Sequence, residues 1–304
     1  MSTERNDLEA LASDWGVDAV VAALAEADAT SPPPDIRARL LERAAASPRI
    51  LAQPVEPADL YATRVEALRS LLAELDADDW SRRAEPYPWT VHGLVAHLLV
   101  IERYTAAQLG LGERPAGDVN DHLALGADLI LAELERAPAE TARRWSSVAQ
   151  SIIDHLRSDD FDPQAPMPLH QWPFSASSGL VARAFELWTH TDDIRRATDR
   201  AVVPAGAGEL RTMSSFSVST LPFLLSSVAP GVAMQPTRIV LTGAGGGTFD
   251  IGGAGERAAL LVADVVDYCR VVARRIEPND LERTVEGSSI LTDGLLEASR
   301  VFAV

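Results

Sequence analysis

The sequence predicts a mostly α-helical protein in which a four-helix bundle is followed by a smaller α+β domain. Three observations carry this reading. Between residues 57 and 198, apolar residues recur at helical spacing in successive segments punctuated by proline or glycine. One connection, 159–178, holds four prolines and is long enough to be a crossover between bundle helices or a functional loop. After Pro204 the pattern shifts toward short period-two runs joined by glycines.

The elements follow in chain order. Residues 1–30 carry helical apolar spacing through Leu8, Leu11, Val17, Val20 and Val21. Pro32, Pro33 and Pro34 break that pattern, and Asp35 can cap a short helix before Pro54 and Pro57. Residues 1–54 therefore read as a helical N-terminal appendage. The first bundle helix places Leu60, Val65, Leu68, Leu71, Leu72 and Leu75 on one face. Thr90 is a natural N-cap for the second, which Gly110 and Gly112 close. A third helix is expected over about 118–136, a fourth over 139–157 and another over 179–198, so the bundle spans 55–204. The α+β domain, 205–304, begins with a helix over about 207–228. RIVLTG and GTFDIG follow as a hairpin around Ala244, Gly245 and Gly246. An apolar helix is expected over 257–275, then the short strand RTVEG and a final helix over 288–303.

Composition narrows the function. Of 304 residues 47% are apolar, enough for a sizeable core. Lys and Arg total 27 against 44 Asp and Glu, a net charge of -17, which repels phosphate backbones and anionic lipid. Nucleic-acid and membrane-surface partners are thus disfavoured. A single cysteine, Cys269, excludes a disulfide framework. The first residues lack the charged and apolar regions of a signal peptide, and no uninterrupted apolar run is long enough for a membrane span, so a cytoplasmic location is expected.

Three of the six histidines have an acid four residues away: Asp118/His122, His155/Asp159 and Glu186/His190. On a helix that spacing puts both side chains on one face, as a metal requires. In so acidic a chain it also arises by chance, so spacing alone selects none of them. Glu186 and His190 fall just outside the apolar arc of their helix, and His97 lies at the edge of its own. A ligand set at the rim of a bundle core has that placement, as does an ordinary boundary histidine.

PWTVHGLVAHLLVIE (88–102) and FELWTHTDDIRRA (185–197) resemble the two signature segments of the mycothiol-dependent maleylpyruvate isomerase family, within the DinB-like metal-binding bundles. The matching residues are Trp89 and His97 in the first, and Glu186, His190 and Asp193 in the second. The stretch from RIVLTG onward resembles that family's sterol-carrier-like C-terminal domain. The likeness covers about 57–304 and implies a DinB-like four-helix bundle followed by such a domain. It implies that His97, Glu186 and His190 hold Zn²⁺. Two imidazoles and a carboxylate leave a fourth position open, the arrangement of a catalytic site, although other divalent ions accept the same donors. Asp193, one turn beyond His190, either orients that ring or is a plain helix-face acid. Asp192 is expected to be solvated.

The resemblance further implies mycothiol as cosubstrate, its thiolate adding to an electrophilic carbon. In the isomerase of that family the double bond becomes single, rotates and re-forms trans as the thiolate leaves, while other members leave the thiol attached. The substrate would be a small electrophile such as maleylpyruvate. Arg274 and Arg275 align roughly with an arginine-bearing turn of the family, which would bind an anionic substrate in a pocket between bundle and α+β domain; at least one of the two is expected merely to offset its helix dipole. The family's glycine before that turn is Ala273 here. Tyr104 either lines the pocket or packs. Cys269, mid-helix among apolar neighbours, reads as a small buried hydrophobe.

Gly253, Gly255 and Ala258 match a dinucleotide fingerprint with Glu277 farther on, but too little chain follows for a full dinucleotide fold. The appendage departs from the family. SPPPDIRARLLERA is similar to linker-proximal sequence of some anti-sigma factors, without their His/Cys motif. The leading expectation is a zinc- and thiol-dependent isomerase or transferase. The alternatives are a partner-binding protein working through residues 1–54, and a metal site that only stabilises the bundle.

Overall fold

The computed structural model describes residues 52–115, 126–168 and 172–301. The expected arm helices, together with Asp118, His122 and His170, lie outside the described residues.

Four long helices form the bundle. Helix α1, Pro57–Ala73, begins on a proline that needs no hydrogen-bond partner at that position and buries Leu60, Tyr61, Val65, Leu68, Leu71 and Leu72. Helix α2, Val91–Gln108, is capped by the Thr90 hydroxyl, which accepts from the Gly93 amide at 3.2 Å. Helix α4, Pro138–Leu156, also starts on proline. Helix α5, Ala176–Ala197, starts at the Ser175 cap. The main packing pairs are α1 with α5 and α2 with α4. The proline-rich connection between α4 and α5 is the crossover expected from the sequence. Of the third expected helix, residues 118–125 lie outside the described residues. The described helix, α3, is Ala127–Leu134 and starts after Gly126, which sits at φ 67°.

Helix α6, Ala207–Val228, leads into a four-stranded sheet. The strands are β1 (Thr237–Thr242), β2 (Gly247–Ile251), β3 (Ala259–Asp264) and β4 (Arg283–Gly287), in the order β2-β1-β3-β4. β1 pairs antiparallel with β2 as a hairpin and parallel with β3, and β3 pairs antiparallel with β4. Helices α7 (Val265–Val272) and α8 (Ser289–Ser299) join α6 against the sheet. The mostly helical class with a smaller α+β part is the one predicted. One apolar core runs continuously through the bundle and into this part. No described helix is long and apolar enough to cross a membrane.

The sheet corrects one helix boundary and bears out the rejection of the dinucleotide fingerprint. The helix expected over 257–275 begins only at Val265, since residues 259–264 are strand β3. A short apolar run such as ALLVA reads equally well as a buried strand or a buried helical turn, and its interior place in the sheet decides. Asp264 marks the switch, its carboxylate accepting from the Val266 amide at 2.8 Å and the Asp267 amide at 3.3 Å. Asp264→Ala is expected to lose about 1 kcal/mol of stability in urea unfolding; an unchanged midpoint would show that the cap is idle. The dinucleotide fingerprint is likewise a sheet connection. Gly252 and Gly253, at φ 84° and 87°, carry the chain past the start of β1 to its far side, and a strand follows where the fingerprint needs a helix N-terminus.

Candidate metal centre

Helices α2 and α5 present the three predicted ligands to one point. His97 lies midway along α2, while Glu186 and His190 sit one turn apart on α5. His97 Nε2 is 3.4 Å from Glu186 Oε1, and His190 Nε2 is 3.8 Å from the same oxygen. One donor atom from each residue lies within 4.8 Å of the others. Zinc bonds of about 2.0–2.1 Å place neighbouring corners of a tetrahedron about 3.4 Å apart. The donor set therefore fits a divalent cation after small adjustments. Both histidines are buried and Glu186 is partly open, so the site lies at the bundle rim.

Aromatic rings fix the histidines. Trp89 stacks on His97 with ring centres 4.8 Å apart, and Tyr87 stacks on Trp89 at 5.3 Å. Tyr87 also meets His190 edge-on at 5.5 Å. Gly93 makes this possible: a Cβ there would stand 3.0 Å from Trp89 Cβ, so any side chain would press the indole away.

Behind His190, its Nδ1 lies 3.1 Å from Asp193 Oδ2. With Asp193 ionised, Nδ1 donates that hydrogen bond and Nε2 keeps its lone pair facing Glu186 and His97. Burial alone would raise the Asp193 carboxyl, but hydrogen bonds from Arg275 and His190 outweigh it and hold the group below the usual carboxylate range. Arg275 follows α7 and reaches into the bundle with both arms of its fork on Asp193, its Nε at 2.9 Å from Oδ1. It also donates to the Tyr87 hydroxyl at 3.3 Å. Arg274 is not brought to the site. It sits at φ 58°, is exposed, and donates to the Arg300 carbonyl at 3.3 Å.

Under Glu186 lies a second ion pair that the sequence reading missed. Arg183 donates to Glu186 Oε2 at 2.6 Å and to Glu102 Oε2 at 2.7 Å. Glu102 also accepts from the Tyr61 hydroxyl and from Trp145 Nε1. A usable signal was present: Glu102 and Arg183 are opposite charges that fall beside the apolar stripes of two bundle helices. Tyr87 had no such signal, because its role depends on how the loop before α2 folds back.

The remaining candidates sit as follows. Asp192 is buried rather than solvated, because its face of α5 turns inward near the end of the helix; burial pushes its carboxyl up to about 6 against the pull of Arg196 and Arg270. Cys269 is fully buried, and burial pushes its thiol well above the usual range, so it is no nucleophile. Tyr104 packs beside Ile101 and Ile130, with Arg114 over its ring at 5.0 Å. His155 and Asp159 form no shared site: Asp159 lies beyond the end of α4, and His155 meets Phe161 edge-on.

The family model described as the mycothiol maleylpyruvate isomerase N-terminal domain matches residues 61–195, a span that contains all three ligands and Asp193. Over this span the chain is similar to that family. Among solved structures, the chain is similar to a crystal structure of the mycothiol-dependent maleylpyruvate isomerase at 15% identity and TM-score 0.49, over 75% of this chain and 92% of that one. It is similar to a histidine-to-alanine mutant of that isomerase at 14% identity, with the same TM-score and coverage. No curated protein matches the chain. The isomerase-family span ends at residue 195, so Arg275 lies outside it.

Proposed function

We propose that this protein is a zinc-dependent enzyme that uses mycothiol, or a similar small thiol, to isomerise a small electrophile such as maleylpyruvate or to transfer the thiol onto it. The observation that supports this best is the convergence of His97, Glu186 and His190 within 4.8 Å at the rim of the bundle. The similarity over residues 61–195 to the mycothiol maleylpyruvate isomerase N-terminal domain supports the choice of thiol and substrate class.

When bound, Zn²⁺ would supply a thiolate at neutral pH by lowering the thiol pKa. The chain's own residues set the stage for it. Two imidazoles and one carboxylate oxygen leave a fourth position for an exchangeable group. Asp193 keeps the proton of His190 on Nδ1, so Nε2 stays a donor. Trp89 and Tyr87 form an aromatic wall that shields His97 and His190 from water. Arg275 gives its donors to Asp193, the Ala273 carbonyl and the Tyr87 hydroxyl, so its part is to hold Asp193 in place behind His190. In the isomerisation the thiolate adds to the cis double bond, the resulting single bond rotates, and thiolate expulsion restores the double bond in the trans form. The thiol is regenerated and no redox partner is consumed.

The test uses the full chain with zinc, mycothiol and maleylpyruvate, following the trans product and any thioether adduct by mass spectrometry. Product formation is expected to need both thiol and metal, to stop on chelation and to return with zinc. A trans product points to an isomerase and a stable adduct to a transferase. Turnover that ignores both chelation and thiol omission would overturn the proposal.

A further inference from the structure

One oxygen of Glu186 faces the two histidines, and a full ion pair is buried beneath the other. We infer that the Arg183–Glu102 pair is a positioning device for Glu186, holding Oε2 so that Oε1 alone is offered between His97 and His190. The inference rests on the metal reading of the site and deepens it.

The two oxygens of Glu186 have separate occupations. Oε1 faces His97 Nε2 at 3.4 Å and His190 Nε2 at 3.8 Å, whereas Oε2 takes a 2.6 Å hydrogen bond from Arg183 Nη1. Arg183 is one turn earlier on α5 and has no room to swing. Its Nη2 donates to Glu102 at 2.7 Å and its Nε faces the other Glu102 oxygen at 3.4 Å. Glu102 is itself pinned by the Tyr61 hydroxyl and by Trp145 Nε1 at 2.9 Å. Tyr61, Glu102, Trp145 and Arg183 come from α1, α2, α4 and α5, so all four long bundle helices meet at this one group. Glu102, Tyr61 and Trp145 are fully buried, and Arg183 is 3% exposed.

Stability does not explain this cluster. A buried ion pair gains little over an apolar layer of the same shape, because desolvation offsets its attraction. An apolar layer would leave Glu186 free to turn both oxygens toward a cation. Chelation by both would fill the corner that a thiol needs, and a single bonded oxygen keeps it open.

The test compares wild type, the double variant Arg183→Met/Glu102→Leu, which removes both charges and keeps the volume, and Glu102→Gln, which keeps the shape. Zinc affinity is measured by competition with a chromophoric chelator, and the visible spectrum of the Co²⁺ form reports coordination number. The double variant is expected to bind zinc roughly 10–100-fold more weakly. Its metal-free melting temperature is expected to fall somewhat, because the buried Tyr61 hydroxyl and Trp145 Nε1 lose their acceptor, so the deciding readout is the Co²⁺ spectrum, whose bands should be weaker as a fifth ligand atom joins. A purely structural role would leave the Co²⁺ bands and the zinc affinity as they are, which overturns the inference. If the double variant does not fold, Glu102→Gln decides on the same two readouts, with a smaller loss expected. A wild type that takes up no metal removes the underlying reading, and this inference with it. A wild type that binds metal beside unaltered variants removes this inference alone.

Discussion

Replacing His190 by alanine is expected to lower thiol-dependent turnover by roughly three orders of magnitude while the fold survives. A metal acting as Lewis acid supplies several kcal/mol of the barrier reduction, and each 1.36 kcal/mol is a factor of ten in rate. With His190 gone, two donors remain, and they come from different helices, so their hold on a cation is weak. The fold is protected because Asp193 keeps both arms of Arg275 after losing the imidazole. The assay is kcat/KM with mycothiol and maleylpyruvate, alongside a circular-dichroism melt. Activity within tenfold of wild type would take His190 out of the reaction.

Removing Asp193 should harm both stability and metal binding. Its carboxylate is buried between His190 Nδ1 and the Arg275 fork, and Arg275 is itself largely enclosed. Asp193→Ala leaves a guanidinium without its counter-charge, a loss of about 3 kcal/mol in urea unfolding. It also frees the His190 ring to turn or to change tautomer, weakening zinc roughly 10–100-fold. Asp193→Asn keeps an acceptor oxygen without the charge and should fall between the two. Adding Arg275→Ala to Asp193→Ala is expected to lose little more stability, because the pair acts as a unit. If the two single losses instead add in full, the coupling is absent.

Much of the fold was legible in the sequence because amphipathic helices advertise themselves. The faces of α1, α2, α4 and α5 repeat at helical spacing, and Thr90, Pro138 and Pro57 mark their starts. The hairpin of β1 and β2 was equally plain from its glycine turn. What escaped was decided by long-range packing. ALLVA is a strand only because β1 and β4 flank it, and Asp264 alone hinted at the break. The start of α3 after the left-handed Gly126 was likewise set by backbone geometry.

The candidate site divides in the same way. His97, Glu186 and His190 were found because residue type and spacing carry the chemistry of a ligand. Their supports were harder. Asp193 was suspected from its position one turn beyond His190, whereas its tie to Arg275 joins residues 82 apart in the chain. Arg274 and Arg275 could not be separated by sequence, since neighbouring residues diverge only when the backbone turns, as it does at φ 58° on Arg274. Tyr87 and the Glu102–Arg183 pair came into view only once the helices were packed.

The account turns on one cation being shared by α2 and α5. Zinc per chain, measured after dialysis of wild type and of the single variants His97→Ala, Glu186→Ala and His190→Ala, tests this most directly. One equivalent in wild type and little in each variant is the predicted result. Full zinc in any of the three variants, or none in wild type, would contradict it.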